Sequence, residues 1–498
     1  MRKNAVFLPL CDPRGRHRVP ECRIFNRMWT TTLDDSRMNN LHADLAAETP
    51  GVAKAASTMP KAVAIIGGLL WLFLASPTVV ESDAYRYAAA LLSLIALYYY
   101  MRAPVRPRTD WIGWLCMGWA FYVMARFGIN YWLTPQHDIG ASDWLYAFPF
   151  FFPIMGVAFL IYEELMEKIV AAYFAMALIM LIATQHFREV FAGETISPLI
   201  MNNQIHGAVA CGMIVIFTLF WLLHYLTEKS GDRRIARFAY IVSPFIFALC
   251  FIAIYGAKSK GVWLALGITL PLMALITLTY LRMKSGIIAI VAVAALLIAG
   301  VYGVRHNLDK TAGPTVSAAL AMVENVTGGH DLGGVVSSTI SSTNTPVSMD
   351  ERLQLWSNSW EVFSSAPVFG WGSKWLERWA ETRYSHIQYT LLHNGYLEIL
   401  VRYGLFGAVV MAFMLGVFIR AVWRARKAGI IPRAAWHAYI VCIFFFSLTL
   451  LSNSNNRLAI GEGFAFASSA FACWCHMRTK GEYLAASKPV LQSATSSA

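Results

Sequence analysis

The chain has 498 residues, 57% of them hydrophobic and only 14% charged, with a mean hydropathy of +0.50. That balance excludes a water-soluble protein with one buried core and predicts an all-α polytopic membrane protein. The formal charge of +12 does not mark a nucleic-acid binder. Its basic residues gather in short loops between apolar runs, where the positive-inside rule expects them.

Residues 1–60 are polar and basic and carry no motif, so they read as a disordered cytoplasmic tail. The apolar run 5–10 is too short for a signal-peptide core, and Met28, Met38 and Met59 are alternative starts. A bilayer-crossing helix needs about 20 apolar residues. By that rule 61–303 holds nine spans, near 61–80, 84–101, 111–128, 143–162, 166–184, 207–226, 235–256, 262–281 and 285–303. A polar segment, 304–403, follows. Three more spans fill 404–475, near 404–424, 433–452 and 457–475, and 476–498 is a second tail. The expected fold is therefore about 12 transmembrane helices with one large helical loop.

Orientation comes from the loops. Arg102, Arg106 and Arg108, then Lys229, Arg233, Arg234 and Arg237, then Arg282 and Lys284 all fall on one side. So do Arg420, Arg424, Arg426, Lys427 and Arg433, and finally Arg478 and Lys480. That side is the cytoplasm, so both termini face in and 304–403 faces out. Arg188, Lys258 and Lys260 break the pattern, because they sit on the outward side beside spans. A cation at a membrane edge is costly without a partner and points to function. The loop that holds Arg188 also offers His186, Glu189, Glu194 and His206.

No cysteine lies between Val304 and Leu397. The outward loop cannot be stapled by disulfides and is expected to rest on the membrane domain. Cys473 and Cys475 lack zinc-ligand spacing. The stretch 328–347 is rich in Gly, Ser and Thr and reads as a lid or linker.

Beyond it the segment 348–407 carries the chemistry-bearing residues. Ser348 and Glu351 have capping-box spacing, which predicts a helix from about Met349. Leu353, Trp356, Trp360 and Phe363 share one face of it. Pro367 ends that helix, and Gly370 and Gly372 bracket an aromatic turn. A second helical pattern from about Gln388 carries His393 and puts Asn394, Glu398 and Arg402 on one face. It enters the membrane near Gly404 and Gly407.

These residues resemble a known family. The pattern is Ser259-Lys260-Gly261 after a middle span, Glu351-Arg352 with Leu355-Trp356, the turn 367–372, and the run from His393 to Gly407. In order and setting it is similar to the O-antigen ligase and polymerase superfamily, over roughly 185–407. The resemblance implies a GT-C-like glycosyltransferase of the bacterial inner membrane. It would take a glycan from undecaprenyl diphosphate on the periplasmic side. A ligase passes it to the lipid A core, and a polymerase to another lipid-linked repeat. The ligase type implies inversion at the sugar without a metal, and no cofactor.

On that footing His393, Arg188 and Lys260 are the candidate catalytic residues. A diphosphate leaving group needs cations; Lys260 stands where the family usually has Arg, so it offers a point charge without the bidentate fork. An imidazole can take the acceptor hydroxyl's proton near neutral pH. Arg352, at the start of its helix, opposes the macrodipole and invites an anionic partner, which is either substrate or the adjacent Asp350 and Glu351. Arg352, Asn394, Glu398, Arg402 and Trp371 are candidate substrate-binding residues; Glu398 with Arg402 also reads as a structural pair, and Trp371, Trp375 and Trp379 as sugar-stacking rings. No Asp-x-Asp occurs in the outward loops, so no metal is expected. Three rivals stay open: a polymerase, a protein O-oligosaccharyltransferase, and a transporter.

Overall fold

Inside a bilayer a chain can satisfy its backbone only as helices or a closed barrel, and this chain takes the helical route. The structure, a computed structural model, describes residues 59–103, 105–133, 143–228, 232–280, 302, 305, 309–310, 312–340, 342, 345–387 and 391–481. These residues contain helices and no strand beyond one isolated bridge, Val80 to Ile200.

In chain order the helices are α1 (Lys61–Ala75), α2 (Ala84–Arg102), α3 (Trp111–Leu133), a 3-10 helix (Asp143–Phe151) that runs into α4 (Phe152–Tyr162), α5 (Met166–Ala183), α6 (Phe187–Phe191), α7 (Gln204–Thr227), α8 (Arg233–Gly256) and α9 (Lys260–Leu278). After a helical stretch at 312–327 come α10 (Leu332–Ile340), α11 (Val347–Ser365), α12 (Trp375–Trp379), α13 (Gly395–Lys427), α14 (Arg433–Thr449) and α15 (Ala459–Thr479). Eleven of the expected spans coincide with these helices. The remaining one, 285–303, lies outside the described residues apart from position 302. Seven helical stretches among the described residues are long and apolar enough to cross a bilayer unaided. This is an all-α polytopic membrane protein. Leu69 and Phe73 on α1 and Leu264 and Leu275 on α9 are half or more exposed, as hydrocarbon-facing side chains are.

The helix ends segregate into two sets. At one end Ile196 donates its N–H to Gly256 at 3.0 Å, His206 meets Glu81 at 3.1 Å, Arg86 pairs with Glu462 at 3.0 Å and Gly395 donates to Leu450 at 2.8 Å. At the other end Tyr225 donates to Glu167, Arg433 to Thr279, Trp474 to Glu163 and Lys480 to Asp110. The loops with the clustered arginines belong to the second set. The polar segment before α13 belongs to the first.

That polar segment has a small core of its own. Leu355, Val362, Phe363, Trp375, Trp379, Leu392 and Val401 pack together, so resting on the membrane domain is only half of what orders it. The local detail departs from the simple sequence pattern at three points. First, α11 begins at Val347 with Pro346 as N-cap and no side-chain cap bond. Ser348 is already inside the first turn, so the capping box does not form. Second, Trp360 is 59% exposed, because the buried face of α11 centres on Leu355, Asn358, Ser359 and Val362. Third, the Gly, Ser and Thr-rich stretch holds the helix α10. It starts where Asp331 accepts from the N–H of Gly334 at 3.0 Å, and Val335 is buried in it.

The turn 366–372 and helix α13 are locked together. α13 kinks at Gly404, where φ is 61° and ψ −160°. The kink frees two backbone donors, and the turn takes them: Leu405 donates to Pro367 and Phe406 to Val368, both at 2.9 Å. Trp371 donates back to Val401 at 2.9 Å. Gly370, at φ 63°, is pressed so close that a Cβ there would lie 2.6 Å from the Arg402 carbonyl carbon. The Gly404 conformation belongs almost wholly to glycine. Gly404→Ala is therefore expected to destabilise the fold by at least about 1–3 kcal/mol, read as a lower unfolding midpoint of the detergent-purified protein.

Candidate functional site

The site is built at the first set of helix ends, from three segments that converge. Lys260 is the first residue of α9, Arg352 lies in the first two turns of α11, and His393 precedes the N-cap of α13. A fourth segment, the loop 450–458 between α14 and α15, joins them. Gly261 sits directly against Ser452, and the His393 Nδ1 lies 3.1 Å from Asn453 Oδ1.

His393 has a φ of 49°, in the left-handed region. Leu199 and Lys258 are the other non-glycine residues in that region among those described, and both lie at the same end of the molecule. Strained backbone persists only where its surroundings over-determine it, and it clusters at functional sites. Here the clamp on His393 is explicit: Gly395 and Asn394 are both hydrogen-bonded to the loop 450–458, through Leu450 and Leu451.

Arg352 is the electrostatic centre. It is half-buried, and the carboxylate that acts on it is that of the adjacent Glu351. Burial lowers its pKa, with Glu351 pulling the other way. Its charge reaches both Lys260 and His393. The Lys260 ammonium donates to Thr315 Oγ1 at 2.8 Å. Burial, and then the Arg352 charge, hold the His393 imidazole below its ordinary range, while the Asn453 hydrogen bond, Glu398 and Glu351 oppose them. The balance favours the neutral imidazole next to the Arg352 and Lys260 side chains. Such a group can bind an anion and accept a proton in the same space.

Behind this trio lies a buried ionic network. Arg402 donates to Asp143 at 2.8 Å and pairs with Glu398 one turn back; Arg457 lies 3.3 Å from Asp143 and 3.9 Å from Glu398. Glu398 also accepts from the Leu392 N–H at 2.7 Å and from Ser454 Oγ at 2.8 Å. The guanidinium of Arg402 lies 4.7 Å from the centre of the Trp375 ring. Two arginines and two carboxylates balance, and Glu398 ties the residue before His393 to the far loop.

Several predicted site residues take other places. Asn394 is not on the helix face with Glu398 and Arg402. It is the N-cap, and its Oδ1 accepts from the N–H groups of Tyr396 and Leu397, because α13 starts later than the apolar pattern suggests. Glu398 and Arg402 are 0% and 1% exposed and spend their polar atoms on each other and on Asp143. They order the site from behind and do not offer a surface to substrate. Trp371 donates to Ser365 at 2.9 Å and packs, partly buried, against the small core of the segment; Trp375 and Trp379 belong to that core, at 2% and 4% exposure, and present no open ring. Arg188 is exposed on α6, in a loop that docks on the end of α8 through Val190 and Ile196. It shares the correct end of the molecule, but no described hydrogen bond or ion pair joins it to the trio.

Sequence reasoning missed Asp143, Asn453, Ser454 and Arg457. The available signal was the run Ser-Asn-Ser-Asn-Asn-Arg at 452–457, polar residues between two apolar runs. Among the described residues no cluster of three or more His, Cys, Asp or Glu could hold a metal ion.

Comparison with known families decides the setting. Residues 245–412 match the family model described as O-antigen ligase. The chain carries a domain of the O-antigen ligase and polymerase superfamily. A search of curated proteins gave no match. The O-antigen ligase domain contains Lys260, Arg352, His393 and the Gly404 kink; Arg188 and the loop 450–458 lie outside it. The match supports a glycosyltransferase-type enzyme of the membrane, with a lipid-linked glycan and a lipid acceptor as the general substrate class.

Proposed function

We propose that this protein is an O-antigen ligase, moving a glycan from undecaprenyl diphosphate to the lipid A core oligosaccharide at the periplasmic face of a bacterial inner membrane. The observation that carries the reading is the convergence of His393, Arg352 and Lys260 at the end of the helices away from the arginine-rich loops. With the positive loops inside, both termini are cytoplasmic and the segment 304–403 is periplasmic.

In this reading the neutral imidazole of His393 takes the proton of the acceptor hydroxyl. The hydroxyl oxygen attacks the anomeric carbon, the bond from that carbon to the diphosphate oxygen breaks, and the sugar inverts. Arg352 and Lys260 stabilise the charge that grows on the leaving diphosphate, so the chain's own cations do the work a metal would otherwise do. Arg188, on the neighbouring exposed loop, meets the diphosphate as it arrives. Asn394, Glu398, Arg402 and Trp371 act by holding His393 and α11 in place.

Deleting the gene tests the assignment. The expected result is a lipid A core without long chains, while polymerised lipid-linked glycan accumulates. Single-repeat chains on the core would instead make the protein a polymerase. Loss of glycan from periplasmic proteins alone would make it a protein O-oligosaccharyltransferase. A purified protein that moves glycan across liposomes without transferring it between lipids would make it a transporter.

A further inference from the structure

The loop 450–458 determines which nitrogen of His393 carries the proton. The run of hydrogen bonds starts at a backbone carbonyl, which can only accept. Thr449 Oγ1 donates its single proton to the Phe446 carbonyl at 2.7 Å. It is then an acceptor to anything else, so the Asn455 group 3.0 Å away must be its Nδ2. Asn455 therefore turns Oδ1 toward Asn453, 2.7 Å away, and Asn453 must answer with its own Nδ2. That leaves Asn453 Oδ1 facing His393 Nδ1 at 3.1 Å. An amide oxygen only accepts, so Nδ1 carries the hydrogen and donates it. In a neutral imidazole the lone pair then sits on Nε2.

We infer that Asn453 is a positioning residue that locks His393 in the Nδ1–H tautomer and so presents Nε2 as the proton acceptor, with Asn455 and Thr449 fixing Asn453 in turn. The inference rests on the base role proposed for His393 but adds residues outside the matched domain. All three relay residues are nearly fully buried, at 2% exposure or less, so the chain of bonds is shielded from water that could scramble it. It is also rigid at its origin, because the Phe446 carbonyl belongs to α14.

The test uses the full-length protein in liposomes with a lipid-linked glycan donor and a core acceptor. Asn453→Ala is expected to lower kcat about 10²-fold with KM little changed. Asn453→Asp keeps the acceptor and adds a negative charge beside the imidazole. It is expected to retain transfer at high pH and to move the acid limb of the pH profile upward by about one unit. That shift reports only that position 453 faces the imidazole; the tautomer of His393 separates a positioning role from a packing one. Nitrogen NMR of histidine-labelled protein gives a second readout: the wild type should show His393 protonated at Nδ1, and Asn453→Ala a mixture of tautomers. An unchanged tautomer in Asn453→Ala overturns the inference, and so does an unmoved acid limb in Asn453→Asp, provided His393→Ala is inactive. If His393→Ala itself transfers glycan at the wild-type rate, the base role fails first and the relay has no reaction to serve.

Discussion

His393→Ala is expected to lower glycan transfer by about 10²–10⁴-fold, the ordinary contribution of a general base, while the protein still inserts and folds. The imidazole contacts Asn453 at the edge of loop 450–458 and takes no part in the ionic network behind it, so its removal leaves that network intact. The pH dependence supplies the sharper form of this prediction. Burial and Arg352 disfavour the imidazolium, so His393 stays neutral to a lower pH than the ordinary value of about 6.5. Transfer should fall as pH drops through a midpoint below that value, since protonation removes the base. Arg352→Gln takes away a neighbouring cation, which favours the imidazolium; the midpoint should rise toward 6.5 while the maximal rate also falls. An acid limb that stays in place after Arg352→Gln would show that the two groups do not share a site.

Arg402→Met should destabilise the protein by about 3–5 kcal/mol, the usual cost of removing one partner from a buried ion pair. Arg402 is 1% exposed and faces Asp143 and Glu398 together. Without it, two buried carboxylates share Arg457 alone. The double variant Arg402→Met, Asp143→Asn removes one charge of each sign and should recover part of the loss. Thermal or chemical unfolding of the purified protein checks both. If the single variant is no less stable than wild type, the network is not what orders the segment before α13.

The sequence made the membrane helices legible because a bilayer imposes one length and one composition on each of them. The trio was legible in part, since Lys260, Arg352 and His393 each stand at the start of a helical pattern. Their neighbours were not. Asp143 and Arg402 are 259 positions apart, and no local periodicity connects them. The loop 450–458 was hidden for another reason. Serine and asparagine are polar but uncharged, so at 453–456 they read as no more than a break between two spans, and Arg457 falls at the edge of the second. Asn394 misled because a capping residue and a helical residue look alike when the start of the helix is placed several positions early.

The loop between α14 and α15 has a consequence for how the enzyme comes into being. Ribosomes add residues in order, so His393 emerges well before Asn453 and Arg457. Until the last two membrane helices have been threaded into the bilayer, the imidazole lacks its contact with Asn453 and the carboxylate of Glu398 has only Arg402. A nascent or truncated polypeptide that stops after α13 would already contain every residue of the matched domain and yet be catalytically silent. On the base role proposed for His393, competence arrives only once α15 has been made.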